Sequence, residues 1–474
     1  MKAKSHIEAK PMALLAACLL WPLQAAAFDP LGTEGDIAPG AFPATQDMAN
    51  CDQGKIKKPL VLADVVDLAL CNNPQTRALW ASARAQAATV GVNMAAYLPT
   101  LTSQGSALRN RNTVGNTTVS SRTETVGLSA SYLLYDFGGR SANLENARQL
   151  LIAANATRDA TLQANFLAAV QAYYTLLSAR ASVLSAQAAE TSAREALSAA
   201  QARYEAGVAT PADKLQAQTA LSQATLNLIT ARGNERSSQG ALANVMGFDA
   251  SQPFELAPFP ETTPNPAAEQ DIGQLIAEAR HKRPDLAAAD AQIKAAEAQL
   301  AATRATGMPS LNLNATAANN RTTGLPGTSS GSIGITLNVP LFTGFRNTYQ
   351  NRVAEQQLEG KVASRDLLAN QVALDVWRAY QALLTNSQAL RTADDLVASA
   401  TASEAMTLGR YKAGITGLSI VDVLNAQSAL ASARQQRVAA LYNFLASRMA
   451  LAQSIGVLDL TQLDERMIQT ERGK

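Results

Sequence analysis

The stretch "YLLYDFGGRSANLENARQLL", residues 132–151, changes character in its middle. Up to Tyr132 and Leu134 the chain alternates apolar and small polar residues, the period of a strand with two unlike faces. After Gly138 and Gly139 it reads as a long polar helix. "ITLNVPLFTGFRNTYQNRVA", residues 335–354, makes the same switch about 206 residues later. The chain must therefore turn strand into long helix twice.

The rest of the sequence is doubled in the same way. "NNPQTRALWASARAQAA" from Asn72 pairs with "KRPDLAAADAQIKAAEA" from Lys282, and "AYLPTLTSQ" from Ala96 with "TGMPSLNLN" from Thr306. "ARYEAGVATPADKLQAQTAL" from Ala202 pairs with "GRYKAGITGLSIVDVLNAQSAL" from Gly409. A constant offset near 206–210 residues marks an internal repeat. The reading gives a first repeat at 74–250, a Pro-rich linker at 251–270, a second repeat at 271–456 and a tail at 457–474. Each repeat opens with a helix, at 74–96 and 284–306, where Leu286, Ile293 and Leu300 recur every seven residues. Pro99 and Pro309 end these helices, and two strands follow in each repeat, about 98–110 and 122–134, then 310–320 and 331–341.

The strands alternate. Val126, Leu128, Ala130 and Tyr132 oppose Thr125, Gly127, Ser129 and Ser131. Leu311, Leu313, Ala315 and Ala317 oppose Asn312, Asn314 and Thr316; Ile333, Ile335, Leu337 and Val339 oppose Ser332, Gly334, Thr336 and Asn338. Such strands suit a membrane barrel with lipid outside and water inside, or a sandwich solvated on one side; alternation does not separate the two. The Gly/Ser/Thr/Asn-rich segments 109–122 and 319–332 read as loops. Four strands cannot close a barrel, since small membrane barrels have about eight. Membrane strands in this chain would need further copies to pair their edges, without choosing between two copies and three.

The long helices run from about Arg140 to Tyr204 and from about Arg346 to Tyr411, the second interrupted by Gly360 and Gly409. At 1.5 Å per residue each would extend ~100 Å. Leu162, Ala169, Leu176 and Val183 step by seven, as do Ala369, Val376, Leu383, Leu390 and Val397. That is coiled-coil spacing, and it also fits an independent coiled-coil rod. The strand-to-helix switch then marks a membrane boundary, with Gly138, Gly139 and Gly344 letting the backbone swerve without a Cβ clash.

Residues 1–27 read as an export signal: a basic start, an apolar run from Met12 to Leu23, and small residues at 25–27. Lipidation of Cys18 is the lower-ranked alternative. Removing the signal takes three lysines and one glutamate from a chain of net charge +2, leaving it near neutral and unlike a nucleic-acid binder. The N-terminal segment 28–73 holds Cys51 and Cys71, which are either buried thiols or a disulfide; export and the even count favour the disulfide, worth ~3 kcal/mol for a loop of this size. Only His281 survives processing, no His/Cys metal cluster is evident and no cofactor is expected. A serine nucleophile elbow of the Gly-x-Ser-x-Gly kind is not expected, and no enzyme activity is assigned.

On Pro99 and Pro309, the "YDFGGR" and "PLFTGFR" turns, and the doubled "RYxAG" followed by Asp and "AQ", the chain resembles the TolC-like outer-membrane channel family over nearly all its mature length. Cys51, Cys71 and "ALCNNPQTRALW" are most like the cyclolysin (adenylate cyclase toxin) secretion branch. The resemblance implies a fold that is mainly α with membrane β: a duplicated helix–strand–strand–long helix–helix unit. Three chains would form one twelve-stranded barrel continuous with an α-helical periplasmic tunnel. It implies a passive duct of type I secretion, with a periplasmic adaptor, an inner-membrane ABC transporter and a secreted toxin as partners. Multidrug efflux is the neighbouring reading, and a coiled-coil adaptor or adhesin the reading from another class.

The helix reversals carry the gate residues implied by the family. Gly207 and Gly414 supply left-handed helix ends. Tyr411 is the candidate gate tyrosine, with Tyr204 its first-repeat counterpart. Thr416 stands near the position where some members have a partner arginine. Asp422 matches a lumen-facing aspartate, Asn425 replaces a second one, and Asp213 is the first-repeat counterpart of Asp422. A ring of aspartates around a narrow axis would attract cations.

Overall fold

The structure, a computed structural model, describes residues 29–40, 42, 59–258, 271–413 and 419–458. The expected signal peptide, Cys18, Cys51, linker residues 259–270, Gly414, Thr416 and the tail beyond Leu458 lie outside these residues. A 3₁₀ turn at Thr33–Asp36 precedes α1 (Leu62–Asn72), α2 (Pro74–Ala95), β1 (Thr100–Val114), β2 (Thr117–Tyr135), α3 (Gly139–Glu205) and α4 (Pro211–Val245). The second repeat supplies α5 (Ile272–Lys282), α6 (Pro284–Ala305), β3 (Ser310–Thr322), β4 (Thr328–Asn338), α7 (Arg346–Lys412) and α8 (Ile420–Ile455). The doubling extends to lengths: α1 and α5 have 11 residues, α2 and α6 have 22, and α3 and α7 have 67.

Two helices, α1 and α5, precede the helices at 74–96 and 284–306 with which the sequence reading opens each repeat. That reading starts at Pro74 and Pro284. Each proline does begin a helix, where its missing N–H has no partner to lose. The residues before them, Asn73 (ψ 123°) and Arg283 (ψ 123°), are extended, as a following proline demands, so each helix pair is one path broken by a kink. Gly360 and Gly409 do not interrupt α7.

The chain divides into two compact units. One holds Met1–Ala38, Arg84–Arg148 and Ala301–Asn347, of which 29–38 is the described part of the first segment. Its centre is a four-stranded antiparallel sheet in the order β1-β2-β3-β4. The ladders run deep into the segments read as loops. β1 continues to Val114 and turns at Gly115–Asn116, with Gly115 left-handed, and only 323–327 separate β3 from β4. Thr and Val favour strands, and hydroxyls bridge the hairpin, as between Thr113 and Thr118 at 3.1 Å. The reading of 109–122 and 319–332 as loops is corrected: polarity there reflects what the strands face, not irregular backbone. Contrary to the expectation of no serine elbow, Gly327–Gly331 reads Gly-Thr-Ser-Ser-Gly and does match the pattern. It sits in an antiparallel hairpin, largely within β4, without the strand–turn–helix context an elbow needs.

The other unit holds the described residues of Pro39–Ala83, Gln149–Leu300 and Thr348–Lys474. The heptad residues Leu162, Ala169, Leu176, Val376, Leu383 and Leu390 are buried in its core, and Val183 and Val397 are partly buried. The kinks between paired helices are gripped by glycines. A Cβ on Gly247 (φ 79°) would lie 2.7 Å from the Asn72 carbonyl carbon and oxygen, and one on Gly456 (φ 82°) 3.0 Å from those of Lys282. Arg158 is fully buried. Its guanidinium lies 4.4 Å from the Trp80 ring centroid, donates to the Pro39 carbonyl at 3.1 Å and pairs with Asp159 at 2.9 Å.

Candidate functional site: a two-faced sheet and two helix reversals

Period-two geometry sends neighbouring strand residues to opposite faces, so cross-strand partners share a face. Leu101, Ala130, Ala315 and Ile333 form one row across all four strands, and Tyr132, Leu313 and Ile335 form a parallel row. A bulge between Leu133 and Tyr135 brings Tyr135 onto the same face beside Leu311 and Leu337. The opposite face is hydroxyl and amide. Thr102, Ser129, Thr316 and Ser332 form one row, joined by hydroxyl contacts of 2.6 Å (Thr102–Ser129) and 2.8 Å (Thr316–Ser332). Within one chain neither face is covered: Ile333 is 76% exposed and Leu101 72%. An apolar face this open marks a surface meant for another apolar medium.

The strand-to-helix turns use two left-handed residues each. Gly138 (φ 90°) follows Phe137 (φ 52°), and Gly344 (φ 64°) precedes Phe345 (φ 63°). Gly139, the third glycine assigned to these turns, is not left-handed; a Cβ there would come within 3.0 Å of Asp136 Oδ2. That carboxylate accepts the Arg140 N–H at 2.7 Å and so caps α3. The phenylalanines gave no sign in sequence of left-handed backbone, which is rare for bulky residues. They are exposed, and each sits edge-on to another aromatic, Tyr135 or Phe342. Exposed aromatics beside an apolar strand band are also the composition found where membrane-barrel strands meet the lipid–water interface.

The second unit contains the first helix reversal and the two flanks of the second, up to Ala413 and from Ser419. Gly207 (φ 74°) ends α3, donating to the Tyr204 carbonyl at 3.0 Å while Val208 donates to that of Arg203. Thr210 and Asp213 form a capping box at the start of α4: the carboxylate accepts the Thr210 N–H at 2.8 Å and its hydroxyl at 2.9 Å. Asp422 does the same for Ser419 at the start of α8, at 2.8 and 2.9 Å. The two aspartates are therefore structural counterparts, and the extra two residues of the second reversal fall before Ser419. Asp422 and Asn425 are exposed, and Asp213 is partly buried. The Ser419 N–H, then its hydroxyl, hold the Asp422 carboxyl below the usual carboxylate range.

Tyr411 is buried among Ala196, Ala200, Ala217, Ile420 and Val423. Arg203 stacks on it, 4.6 Å from the ring centroid, and donates to its carbonyl at 3.1 Å. Burial pushes the Tyr411 hydroxyl up; Arg203 opposes this and Asp213 adds to it. Sequence reading missed Arg203 because it sought a partner after Gly414; the arginine comes instead from the first "RYxAG". Tyr204 is exposed, its ring 5.9 Å from Lys214 Nζ. Cys71 is disulfide-bonded, and its expected partner Cys51 lies outside the described residues. Among the described residues there is no group of side chains that could hold a metal ion, and no helix long and apolar enough to cross a membrane.

Comparison with known proteins agrees with this geometry. The family described as "Outer membrane efflux protein" matches residues 65–248 and 275–457, one match per repeat. Protein CyaE of Bordetella pertussis is 30% identical over 409 residues, covering 85% of this chain and 86% of that protein. Outer membrane protein TolC of Vibrio cholerae is 27% identical over 411 residues, covering 84% and 91%. The outer-membrane channel OprN shares the fold, with a TM-score of 0.74 at 20% identity over 83% of this chain and 89% of that one. With both repeats matched and most of each relative covered, the chain belongs to the TolC-like outer membrane efflux protein family.

Proposed function

We propose that three copies of this chain close a twelve-stranded barrel continuous with an α-helical tunnel, and that the trimer is the passive exit duct of a type I secretion system. One observation carries the reading: a four-stranded sheet, apolar on one face and hydroxyl on the other, with β1 and β4 as open edges. Unpaired backbone groups in hydrocarbon cost several kcal/mol each, so those edges must be paired. An even number of alternating strands lets β4 of one copy meet β1 of the next antiparallel, and closure then repeats around an axis. Outside is lipid and inside is a polar lumen for an unfolded chain. A periplasmic adaptor and an inner-membrane ABC transporter would supply the driving force and loosen the helix reversals. The cargo assigned is a repeats-in-toxin protein such as adenylate cyclase toxin. The residues around Cys71 and the 30% identity to Protein CyaE support that choice.

The test is deletion of the gene. Loss of the toxin from the medium, with drug susceptibility unchanged, supports the duct. Unchanged secretion with raised susceptibility assigns the chain to a tripartite efflux pump, the reading that the family's own description favours.

A further inference from the structure

The sheet carries four arginines, Arg109, Arg111, Arg122 and Arg321, against one carboxylate, Glu124. The ladders from Thr100↔Ser131 to Val114↔Thr117 and from Thr123↔Thr322 to Leu133↔Asn312 are unbroken. Parity along them therefore assigns faces. Arg109 and Arg111 share the face of Leu101; Arg122 and Glu124 that of Ala130; Arg321 that of Ala315. All five charged side chains stand on the apolar face, and the hydroxyl face of the strands carries none.

Their level is as informative as their face. Ten residues separate Leu311 from Arg321, about 34 Å of strand and about 26 Å of height at the tilt of barrel strands. The apolar band of a membrane barrel is about 25 Å tall. The arginines therefore begin where the hydrocarbon ends, at the opposite end of the band from Tyr135 and Phe345. Arg109 and Arg122 are direct cross-strand partners, an arrangement that repels unless an anion sits between them. Glu124 pairs with Arg122 at 2.7 Å, and among the described residues it is the sole carboxylate in an ion pair with this group. Arg109 and Arg122 also line a shallow depression with Ala107 and Ser120.

We propose that this face binds the phosphates of an anionic lipid headgroup in the outward-facing leaflet, with Arg109, Arg122 and Arg321 as the contacting residues and Arg111 beyond them. Guanidinium forks suit phosphate, and the adjoining apolar band suits the acyl chains of the same molecule. An anionic cargo in transit would be met by charges on the hydroxyl face, where there are none. The proposal rests on the barrel reading, because only a closed barrel makes the apolar face the lipid face.

The test uses the full mature protein as trimers in non-ionic detergent and fluorescent diphosphoryl lipid A as the probe. Wild type is compared with Arg109→Gln/Arg122→Gln/Arg321→Gln and with single Arg321→Gln. Each arginine removed is expected to weaken binding about fivefold at low salt, an effect that fades as salt rises. Fully dephosphorylated lipid A should bind wild type and triple variant alike. Equal binding of the phosphorylated lipid by wild type and triple variant overturns the proposal. So does full competition by inorganic phosphate at the lipid's own concentration, which would make the ligand a free anion. Conductance in planar bilayers is read on the same preparations: a conducting trimer indifferent to lipid phosphate overturns this site alone, whereas a protein that forms no pore overturns the barrel.

Discussion

Arg203 holds Tyr411 in two ways, over the ring and on the carbonyl. Both contacts join the end of α3 to the end of α7. A cation–π contact and a charged hydrogen bond at a partly exposed site together amount to about 2 kcal/mol. Arg203→Ala should therefore lower hydrogen-exchange protection around 200–206 and 408–412 by that amount and raise mean conductance. Unchanged protection would remove Arg203 from the reversal. Asp422 has two separable properties, a cap and a charge. Asp422→Asn keeps much of the cap but loses the charge, so divalent block of conductance should fall while the start of α8 stays protected; full block in the variant would exclude a lumen ring. The pH sign follows from the lowered Asp422 value. Its stabilising bond to Ser419 is fully present above the ordinary carboxylate range and is lost as pH falls through the depressed folded value, so acid below about pH 3.8 should loosen this reversal.

The strand-to-helix turns and helix kinks show doubling at work in individual elements. Gly247 and Gly456 each end the last helix of a repeat with positive φ, and each rests against the carbonyl preceding a kink. A side chain there meets both a left-handed penalty and backbone that cannot yield. Gly247→Ala or Gly456→Ala should cost about 3 kcal/mol or more, seen as a lower urea midpoint. Gly233→Ala is the control: nothing lies near its Cβ position in mid-α4, so it should stabilise by up to about 1 kcal/mol. Equal effects at the three sites would show that the kinks are not gripped. These glycines were invisible in sequence, since "VMGFD" and "SIGVL" offer no pattern until the kink is seen against them. Arg203 was hidden for the same reason: its partner is 208 residues away.

For the whole molecule the question is what completes the sheet. Cysteines on the hydroxyl face, Thr102→Cys in β1 with Ser330→Cys, Ser332→Cys or Gly334→Cys in β4, lie on opposite edges of one chain's sheet and cannot link within it. If copies close edge to edge, at least one pair should give a covalent ladder ending at the trimer on a non-reducing gel. A ladder ending at the dimer, or none from any pair, would refute trimeric closure.

Periodicity is local, so the doubled strands, long helices and heptad rows were legible residue by residue. Each depends on spacings of two, three or four and seven residues, which the chain itself displays. The loops at 109–122 and 319–332 were misread because polar side chains look alike whether they solvate a loop or stand on a strand outside the apolar band; only pairing separates the two. Tertiary structure alone decided the strand order, the confinement of every charge in the strands to the apolar face, the burial of Tyr411 under Arg203 and the grip of Gly247 and Gly456 on the kinks. These are contacts between residues far apart in the chain, and no local period encodes which distant partner a side chain will meet.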